Sequence, residues 1–374
     1  MTSSTTGTLA RHASQERADS RGGDGHEPEP PRQSELIRAL VAVAPGLALA
    51  LAVAATAYVL TPWLQTAAPI PPIALALVIG IALNSVASLP LFQPGLAFAV
   101  KRVLRWAVAL LGLRIALGEI AALGASTAVL VVVTMALTIA SALLFARLLG
   151  QKVLYGALAG AATAVCGASA ALATATVLPH YRGKDADTVF MVLAVNALST
   201  VAMVIYPSLC TWLGFDAMTT GIMLGATIHD VAQVVGAGYS AGEVAGNTAV
   251  VVKLFRVFLL LPVVLAIGWL LSGPRVAAGT AARVPKPIFA VVFLALCVLN
   301  SVVSWLPAPP PLYPAVRALL IDLSSWGLLV AIAALGLGTS LTAFVSLGWR
   351  QMVTVTGATL VILVGVIGGL LVLR

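Results

Sequence analysis

Apolar segments dominate this chain from Leu40 onward, and most of them have the length of a membrane span. A helix needs roughly twenty apolar residues to cross a bilayer. Hydrophobic residues make up 60% of the 374 and charged residues only 9%, which excludes a water-soluble domain with a wetted surface. We therefore expect an all-α polytopic membrane protein with about eleven transmembrane helices. Their approximate bounds are 40–60, 72–89, 96–117, 126–147, 154–178, 187–212, 219–240, 247–271, 287–305, 318–341 and 351–373.

The amino-terminal residues have a different composition. They are polar, mixed in charge and rich in proline near residue 30. Such a segment buries too little apolar area to offset the conformational entropy lost on ordering. We expect a disordered cytoplasmic tail over residues 1–38 and a transmembrane transporter domain over residues 39–374.

Basic residues between the segments orient them in the membrane. In an eleven-span arrangement, ten fall on one side: Arg38, Lys101, Arg102, Arg105, Arg147, Lys152, Arg275, Arg283, Lys286 and Arg350. Four fall on the other: Arg182, Lys184, Arg317 and Arg374. Because cytoplasmic loops carry the excess of lysine and arginine, this predicts a multi-pass protein with a cytoplasmic N-terminus. Topology and lipid headgroups explain the formal charge of +8 without nucleic acid as a partner.

Two internal echoes indicate a repeat. ALNSVASLPL (82–91) resembles VLNSVVSWLP (298–307), and ALLGLRIALGEIAALG (109–124) resembles AALGLGTSLTAFVSLG (333–348). Their offset of seven spans gives the related spans opposite directions, as in inverted-repeat transporters. A weaker echo joins 156–170 to 221–235, but its offset of two spans is parallel. The two echoes agree only if one segment is re-entrant.

Both segments of the weaker echo have the composition of interrupted helices. Small and hydroxyl residues are dense from Cys166 to Thr176 and around Gly236, Gly238, Gly242 and Gly246. This composition permits close backbone approach and local unwinding. Unwound halves present N–H groups and positive dipole ends that suit an anion, whereas the alternative is plain small-residue packing. We expect a broken-helix transporter in which Cys166, Gly167 and Ser169 form a binding turn.

Three polar side chains interrupt the apolar run GATIHDVAQVVGAG (225–238). Ionisable residues inside a membrane are costly and indicate a functional site. On a continuous helix His229, Asp230 and Gln233 share one face, so we expect them to line a substrate path, with His229 beside its acid carrying a coupling proton. The alternative is that His229 and Asp230 only hydrogen-bond neighbouring helices. No further carboxylate or histidine recurs at ligand spacing, so no metal is expected.

Lys253 and Arg256 lie three residues apart in the next span. Two like charges on one face need a carboxylate or an anion, so we expect Asp230 to pair with one and a substrate oxyanion to meet the other. The competing interpretation is snorkelling to the interface.

Arg114 is a further candidate for the substrate path, although snorkelling or a local ion pair with Glu119 explains its position equally well.

Asn84 and Asn300 occupy matched positions in the stronger echo. We expect both to hydrogen-bond between helices, because amide side chains in a membrane associate helices in this way.

Five stretches of the chain resemble one known family. LLGLRIALGEI, VCGASAALA, NALSTVAMVIYP, GATIHDVAQVVGAG and VVKLFR are similar to sequences of the sulfate exporter family of conserved hypothetical bacterial inner-membrane proteins, the YeiH type. The resemblance covers essentially everything after the tail. It implies a bacterial inner-membrane protein related in fold to inverted-repeat transporters with crossed, broken helices. It also implies sulfate as the candidate substrate.

We expect a secondary transporter of a small inorganic or sulfur-containing anion, exporting sulfate or sulfite at the expense of a proton or ion gradient. It is expected to need no cofactor and to act as a homodimer in the bilayer. The alternatives are a cation/proton antiporter using Asp230 and, from other classes, a membrane-embedded enzyme or sensor. The sequence contains no HExxH, GxSxG or GxxxxGK[ST] pattern, which disfavours an enzyme and an ATP-driven pump.

Overall fold

The computed structural model describes residues 33–64, 71–272, 287–306, 310–339 and 349–373. These residues form helices joined by turns, and none of them belongs to a strand. Val43–Arg374 is one compact unit, and Met1–Ala42 is another, of which the described part is the first turns of helix α1. The predicted tail falls mainly on residues 1–32, outside the described residues, and stays a prediction.

The helices are numbered here in chain order. They are α1 (Gln33–Leu64), α2 (Pro72–Ala82), α3 (Asn84–Ala87), α4 (Gln93–Phe98), α5 (Leu104–Leu110), α6 (Leu117–Ala122), α7 (Gly124–Leu148), α8 (Val153–Ala164), α9 (Ala168–Val177), α10 (Lys184–Trp212), α11 (Ala217–Thr227), α12 (Val231–Ser240), α13 (Glu243–Phe258), α14 (Leu260–Ser272), α15 (Ile288–Ser304), α16 (Tyr313–Leu337) and α17 (Trp349–Leu373). A π-helical turn, Ala99–Val103, joins α4 to α5, and a 3-10 turn, Leu111–Leu113, follows α5.

Six helical stretches of the described chain are long and apolar enough to cross a membrane. They are Val41–Leu64, Gly124–Leu148, Lys184–Trp212, Glu243–Leu271, Tyr313–Leu337 and Trp349–Leu373. Each coincides with one of the eleven predicted segments, so the prediction of an all-helical membrane protein is confirmed. The remaining five segments are shorter or interrupted helices.

The segment 154–178 forms a helical hairpin, which we call hairpin 1 (α8 and α9). Helix α8 ends at Ala164, the chain turns through Val165–Gly167, and α9 runs back. The two ends meet, because Lys152 Nζ donates to the Arg182 carbonyl oxygen at 2.7 Å and lies 4.8 Å from the centre of the Tyr181 ring. Arms of 12 and 10 residues are each about 15–18 Å long, roughly half a bilayer. The prediction that this segment is one of eleven spans is therefore not confirmed.

The segment 219–240 is also a hairpin, hairpin 2 (α11 and α12), and both of its arms lie along α13. A methyl group built on Gly221 would lie 2.7 Å from the carbonyl oxygen of Ala245, and one on Gly238 would lie 3.4 Å from the same atom. Gly225, further along α11, faces Ala249 instead. Helix α11 therefore runs along α13 in one direction and α12 returns, so the prediction that this segment is one of eleven spans is not confirmed either.

Interrupted helices were predicted in both segments, and both are found. The first break coincides with the predicted turn at Cys166. The second lies at Ile228–Asp230, upstream of the glycine cluster, whose members Gly238 and Gly246 serve close packing between α12 and α13. Gly167 has φ +63° and ψ −122°, a conformation that only glycine adopts without strain.

The helices of the stronger echo pair crosswise. Helix α2 packs against α16, and α5 packs against α15, so the first helix of each echoed pair contacts the second helix of the other. Asn84 Nδ2 donates to the Leu337 carbonyl oxygen at 2.7 Å, and Asn300 Oδ1 accepts from Arg317 Nε at 3.0 Å. The predicted interhelical hydrogen bonds of both asparagines are confirmed. Residues 340–348, which complete the echo at 333–348, lie outside the described residues.

Candidate functional site

The tips of the two hairpins meet inside the helix bundle. Tip 1 is Val165–Gly167 and tip 2 is Ile228–Asp230. A methyl group built on Gly167 would lie 3.6 Å from the backbone carbon of His229, which is ordinary van der Waals contact. The two unwound turns are therefore neighbours, although 60 residues or more separate them along the chain.

Lys253 of α13 binds both tips. Its Nζ donates to the Val165 carbonyl oxygen at 2.6 Å and to the Ile228 carbonyl oxygen at 3.0 Å. The side chain is fully buried, with 0% of its surface exposed. Two of the three ammonium donors are thus used by the backbone. The snorkelling interpretation of Lys253 is wrong.

Arg256, one turn later on α13, binds the carboxyl-terminal ends of α8 and α11, the first arms of the two hairpins. Its Nε and Nη2 donate to the Ala164 carbonyl oxygen at 3.0 and 2.7 Å, and Nη2 also reaches Thr163 at 3.0 Å. Its Nη1 donates to Gly225 at 3.1 Å and to Ala226 at 2.7 Å. The guanidinium is 0% exposed and all five of its N–H groups are committed to carbonyl oxygens, so snorkelling is excluded for it as well.

These contacts have one physical cause. Helices α8 and α11 both end at the tips, and a helix end leaves carbonyl oxygens unpaired and carries about −0.5 charge. Lys253 and Arg256 supply the missing donors and the opposite charge. No ion pair joins Asp230 to either of them in the described structure. The predicted Asp230 partnership, with one cation left free for an oxyanion, is therefore wrong.

Asp230 begins the return arm of hairpin 2. Its Oδ1 accepts a hydrogen bond from the Ala232 backbone nitrogen at 2.8 Å and so caps α12. The side chain is partly exposed and lies within electrostatic range of Lys253 and of Arg105 in α5. Because tip 2 is not helical, the prediction that His229, Asp230 and Gln233 share one helical face is wrong.

His229 is buried among neighbouring helices, with 1% of its surface exposed. Its Nδ1 lies 2.9 Å from the Thr163 carbonyl oxygen and therefore donates to it, and its Nε2 lies 2.9 Å from Thr359 Oγ1. Its backbone nitrogen donates to Ser199 Oγ at 3.2 Å. This is the arrangement of the alternative interpretation, in which the imidazole bonds adjacent helices.

Gln233 connects hairpin 2 to α10. Its Nε2 donates to Asn196 Oδ1 at 3.0 Å and to Thr200 Oγ1 at 3.4 Å, while its Oε1 has no partner among the described residues. Asn196 is exposed although it lies in the middle of α10. Sequence reasoning missed it, and the signal was available: the polar cluster in NALST, 196–200, inside an otherwise apolar span.

The predicted binding turn lies at tip 1. Cys166 is buried and Gly167 precedes the first residue of α9 without any side-chain cap on that helix. Ser169, in the first turn of α9, is exposed. The structure thus brings Cys166, Gly167 and Ser169 into the same region as Asp230 and Lys253.

Arg114 lies away from the tips. Its Nη1 is 3.4 Å from Glu243 Oε1 at the first residue of α13. The alternative partner, Glu119, has a side chain outside the described part of the chain. A cavity of about 260 Å³ opens beside this ion pair, lined by Ile115, Leu123, Met218, Val244, Asn247, Thr248 and Val251.

Another cavity, of about 350 Å³, lies between α16 and the helix formed by α4 and α5. It is mainly apolar, and Arg102 is the charged residue in its wall. Neither of these two cavities includes a tip residue. Within the described residues, no group of three or more His, Cys, Asp and Glu side chains is placed to hold a metal ion.

Comparison with known proteins places the chain in a family. The family model described as conserved hypothetical protein 698 matches residues 45–355. The UPF0324 membrane protein TauZ of Paracoccus denitrificans is 44% identical over 332 residues, which cover 88% of this chain and 95% of that protein. The UPF0324 membrane protein CT0845 of Chlorobaculum tepidum is 41% identical over 275 residues, 73% of this chain and 75% of the relative.

A third relative, the UPF0324 membrane protein RB0971 of Rhizobium meliloti, is 39% identical over 342 residues, 91% of this chain and 96% of that protein. No solved structure matches the chain. The family match and these relatives span both hairpins and α13. The chain therefore belongs to the conserved hypothetical protein 698 (UPF0324) family of membrane proteins.

Proposed function

We propose that this chain is a secondary transporter of a small anion in the bacterial inner membrane, and not an enzyme, and that the anion binds at the hairpin tips. The observation that carries the proposal is the meeting of two broken segments around the buried cations Lys253 and Arg256. Paired discontinuous helices near the bilayer midplane are typical binding sites of secondary transporters.

The distribution of basic residues supports a membrane arrangement with two re-entrant hairpins. If neither hairpin crosses the bilayer, the eleven predicted spans become nine crossings. The loop that carries Arg182 and Lys184 then lies on the same side as Lys152, in agreement with the hydrogen bond between Lys152 and Arg182. Twelve basic residues fall on that side and two, Arg317 and Arg374, on the other. This sharper asymmetry supports a cytoplasmic N-terminus.

The same arrangement supports an inverted repeat. Hairpin 1 then enters from the cytoplasmic side and hairpin 2 from the opposite side, so the weaker echo becomes antiparallel like the stronger one. The crosswise pairing of α2 with α16 and of α5 with α15 is what a two-fold axis in the membrane plane produces. In chain order the second unit is permuted, because hairpin 2 precedes α15 and α16 whereas hairpin 1 follows α2 and α5.

The charge balance at the tips favours an anion. Lys253 and Arg256 contribute two positive charges, and the first turns of α9 and α12 add about +0.5 each. Against them stand Asp230, with one negative charge, and the carboxyl-terminal ends of α8 and α11, at about −0.5 each. The balance is about +1, and Arg105 adds a positive charge at longer range. A cation/proton antiporter using Asp230 is disfavoured by the same balance.

Asp230 suits a role in coupling. The residue is half-buried at tip 2 and has one carboxylate oxygen bonded to the Ala232 nitrogen. Taking up a proton removes one negative charge next to the bound anion, so proton and anion affinities are linked by electrostatics. We propose sulfate or sulfite as the anion and export as the direction, since the sequence resembles the sulfate exporter family.

Counterflow of labelled sulfate and sulfite in proteoliposomes tests the proposal. We expect saturable exchange by the wild type and at least a tenfold loss in Asp230→Asn and Arg105→Gln. The matched controls are Asp322→Asn and Arg102→Gln, which neutralise exposed charges away from the tips. Well-folded wild-type protein that exchanges neither anion would overturn the substrate assignment, and equal loss in the controls would overturn the site.

A further inference from the structure

The return arms of the two hairpins are unequally covered. In hairpin 2 every residue of α12 from Ala232 to Tyr239 is buried. Helix α12 packs against α2, α10, α13 and α16, and a methyl group on Gly236 would touch Met203 of α10 and Ile332 of α16. The route along α12 to the tips is therefore closed.

The corresponding arm of hairpin 1 is open along one face. Ser169, Leu172 and Thr176 of α9 are exposed at spacings of three and four residues, so they form one stripe, and Leu172 exposes 56% of its surface. Helix α9 packs chiefly against α8, α10 and α14 on its other faces. The open stripe ends at tip 1, where Ser169 lies.

The neighbouring helix α10 carries a second exposed stripe. Val189, Leu193 and Asn196 are exposed at spacings of four and three residues. Because α9 and α10 are adjacent antiparallel helices, the deep ends of the two stripes, Ser169 and Asn196, lie at similar depth. We call the surface of these two stripes the basic-side groove.

The deep end of the basic-side groove is polar. Asn196 accepts a hydrogen bond from Gln233, and the exposed Arg105 of α5 lies within electrostatic range of Asp230 at tip 2. Serine and asparagine side chains at mid-depth are costly against lipid and common against water. The composition therefore indicates that water reaches the deep end of the groove.

The opposite end of the molecule carries an ion pair beside hairpin 2. Arg114 follows the 3-10 turn after α5, and its ion-pair partner Glu243 begins α13, the helix on which hairpin 2 lies. Tyr239 at the end of α12 donates to Asn247 Oδ1 at 2.6 Å in the same region. Exposed ion pairs contribute little to stability, which suits a contact that must break in each cycle.

We infer that the ligand reaches the tips through the basic-side groove, from the membrane face at which hairpin 1 begins, and that the Arg114–Glu243 ion pair keeps the route along hairpin 2 shut. The inference rests on the proposed function and adds the access route and its residues. Since the hairpins are related by the weaker echo, the second state of the cycle covers α9 and uncovers α12.

Side-specific thiol labelling tests this route. Leu172→Cys and Asn196→Cys probe the groove, and Ala237→Cys is the matched control, because residue 237 is the counterpart of 172 in the weaker echo and is 0% exposed. All three are made in a chain whose native cysteines, Cys166, Cys210 and Cys297, are replaced by alanine. A charged, membrane-impermeant methanethiosulfonate is added to inside-out and right-side-out vesicles.

Labelling of positions 172 and 196 is expected only in inside-out vesicles, where the reagent meets the face that carries Lys152. With Glu243 intact, position 237 is expected to react little or not at all from either face. When Glu243→Gln is added, its labelling rate in right-side-out vesicles is expected to rise at least threefold. Absence of labelling at 172 and 196 from both faces would show that the stripes face lipid and would overturn the route. An unchanged labelling rate at position 237 with Glu243→Gln would overturn the role given to the Arg114–Glu243 ion pair.

These outcomes are separable from the substrate question. Labelling needs no transported anion, so correct labelling with no sulfate or sulfite exchange would refute the proposed substrate and keep the access route. Exchange by the wild type, together with labelling from the wrong face, would refute the route and keep the proposed transporter.

Discussion

The ammonium nitrogen of Lys253 lies 2.6 Å from the carbonyl oxygen of Val165. The same nitrogen lies 3.0 Å from the Ile228 carbonyl oxygen, so one side chain fastens the tips of both hairpins. Lys253 and Arg256 are thus bound by backbone, and their first task is to stabilise helix ends that no other described side chain neutralises. In the proposed transporter, their charge would set the potential that an anion meets at the tips.

Arg256→Ala is expected to destabilise the protein strongly. The change leaves the carbonyl oxygens of Ala164, Gly225 and Ala226 without their side-chain donor and removes one of the two donors to Thr163, the other being His229. It also removes a buried charge that balances two helix ends. Losses of this kind cost about 3–5 kcal/mol. Thermal unfolding of the purified protein in detergent measures the effect. Arg102→Ala, at an exposed position, should change stability by less than about 0.5 kcal/mol. A variant at residue 256 as stable as the wild type would contradict the assignment.

The double variant Asp230→Asn, Lys253→Met should fold less well than Asp230→Asn alone. Lys253 is held by the Val165 and Ile228 carbonyl oxygens, so its removal orphans buried acceptors whether or not Asp230 is charged. The amount of monodisperse protein after size-exclusion chromatography reports the outcome. Better recovery of the double variant would show that Asp230 and Lys253 are direct partners after all.

Gly167→Ala should lower stability by about 1–3 kcal/mol, because alanine is strained at φ +63° and ψ −122°. The control is Gly368→Ala in α17, where a methyl group meets no atom within 4 Å. In a helix interior that change is expected to leave stability unchanged or raise it slightly. Chemical denaturation of both variants separates the two effects, and equal midpoints would argue against the conformation of tip 1.

Asn196→Ala should reduce anion exchange far more than stability. It removes the acceptor for Gln233 Nε2, a single hydrogen bond worth about 1 kcal/mol, at an exposed position. Thr176→Ala, on the same groove but further from the tips, is the control. Parallel measurement of counterflow and of the unfolding midpoint distinguishes a path residue from a packing residue, and full activity in Asn196→Ala would remove it from the path.

Hydropathy predicted the helical segments well but misjudged how two of them run. Residues 154–178 and 219–240 have the length of a span, and the same apolar length serves either one straight helix or two half-length arms. Length and hydropathy do not separate these cases, because both bury apolar surface in the same environment. The signal that does separate them is charge: Arg182 and Lys184 sit on the minority side of a straight arrangement and on the majority side of a hairpin.

Sequence reasoning grouped residues that the structure places near one another, but it did not predict their contacts. His229, Lys253 and Arg256 bond to backbone carbonyl oxygens at or next to the tips, and Cys166 and Asp230 are tip residues themselves. The prediction that His229, Asp230 and Gln233 share one face assumed a continuous helix. That assumption fails at tip 2, because Ile228–Asp230 is not helical. Backbone carbonyl oxygens as partners of Lys253 and Arg256 have no side-chain signature, so the sequence gives no direct means of finding them.

Both proposals require that the two hairpins enter from opposite membrane faces, and the location of four single cysteines tests this directly. Hairpin 1 is flanked by Arg147→Cys and His180→Cys, and hairpin 2 by Ala217→Cys and Ala241→Cys. All four positions are exposed. The wild type, whose cysteines are buried, is the unlabelled control. An impermeant thiol reagent applied to sealed oriented vesicles is predicted to label 147 and 180 from one face and 217 and 241 from the other. Labelling of 147 and 180 from opposite faces would contradict the account.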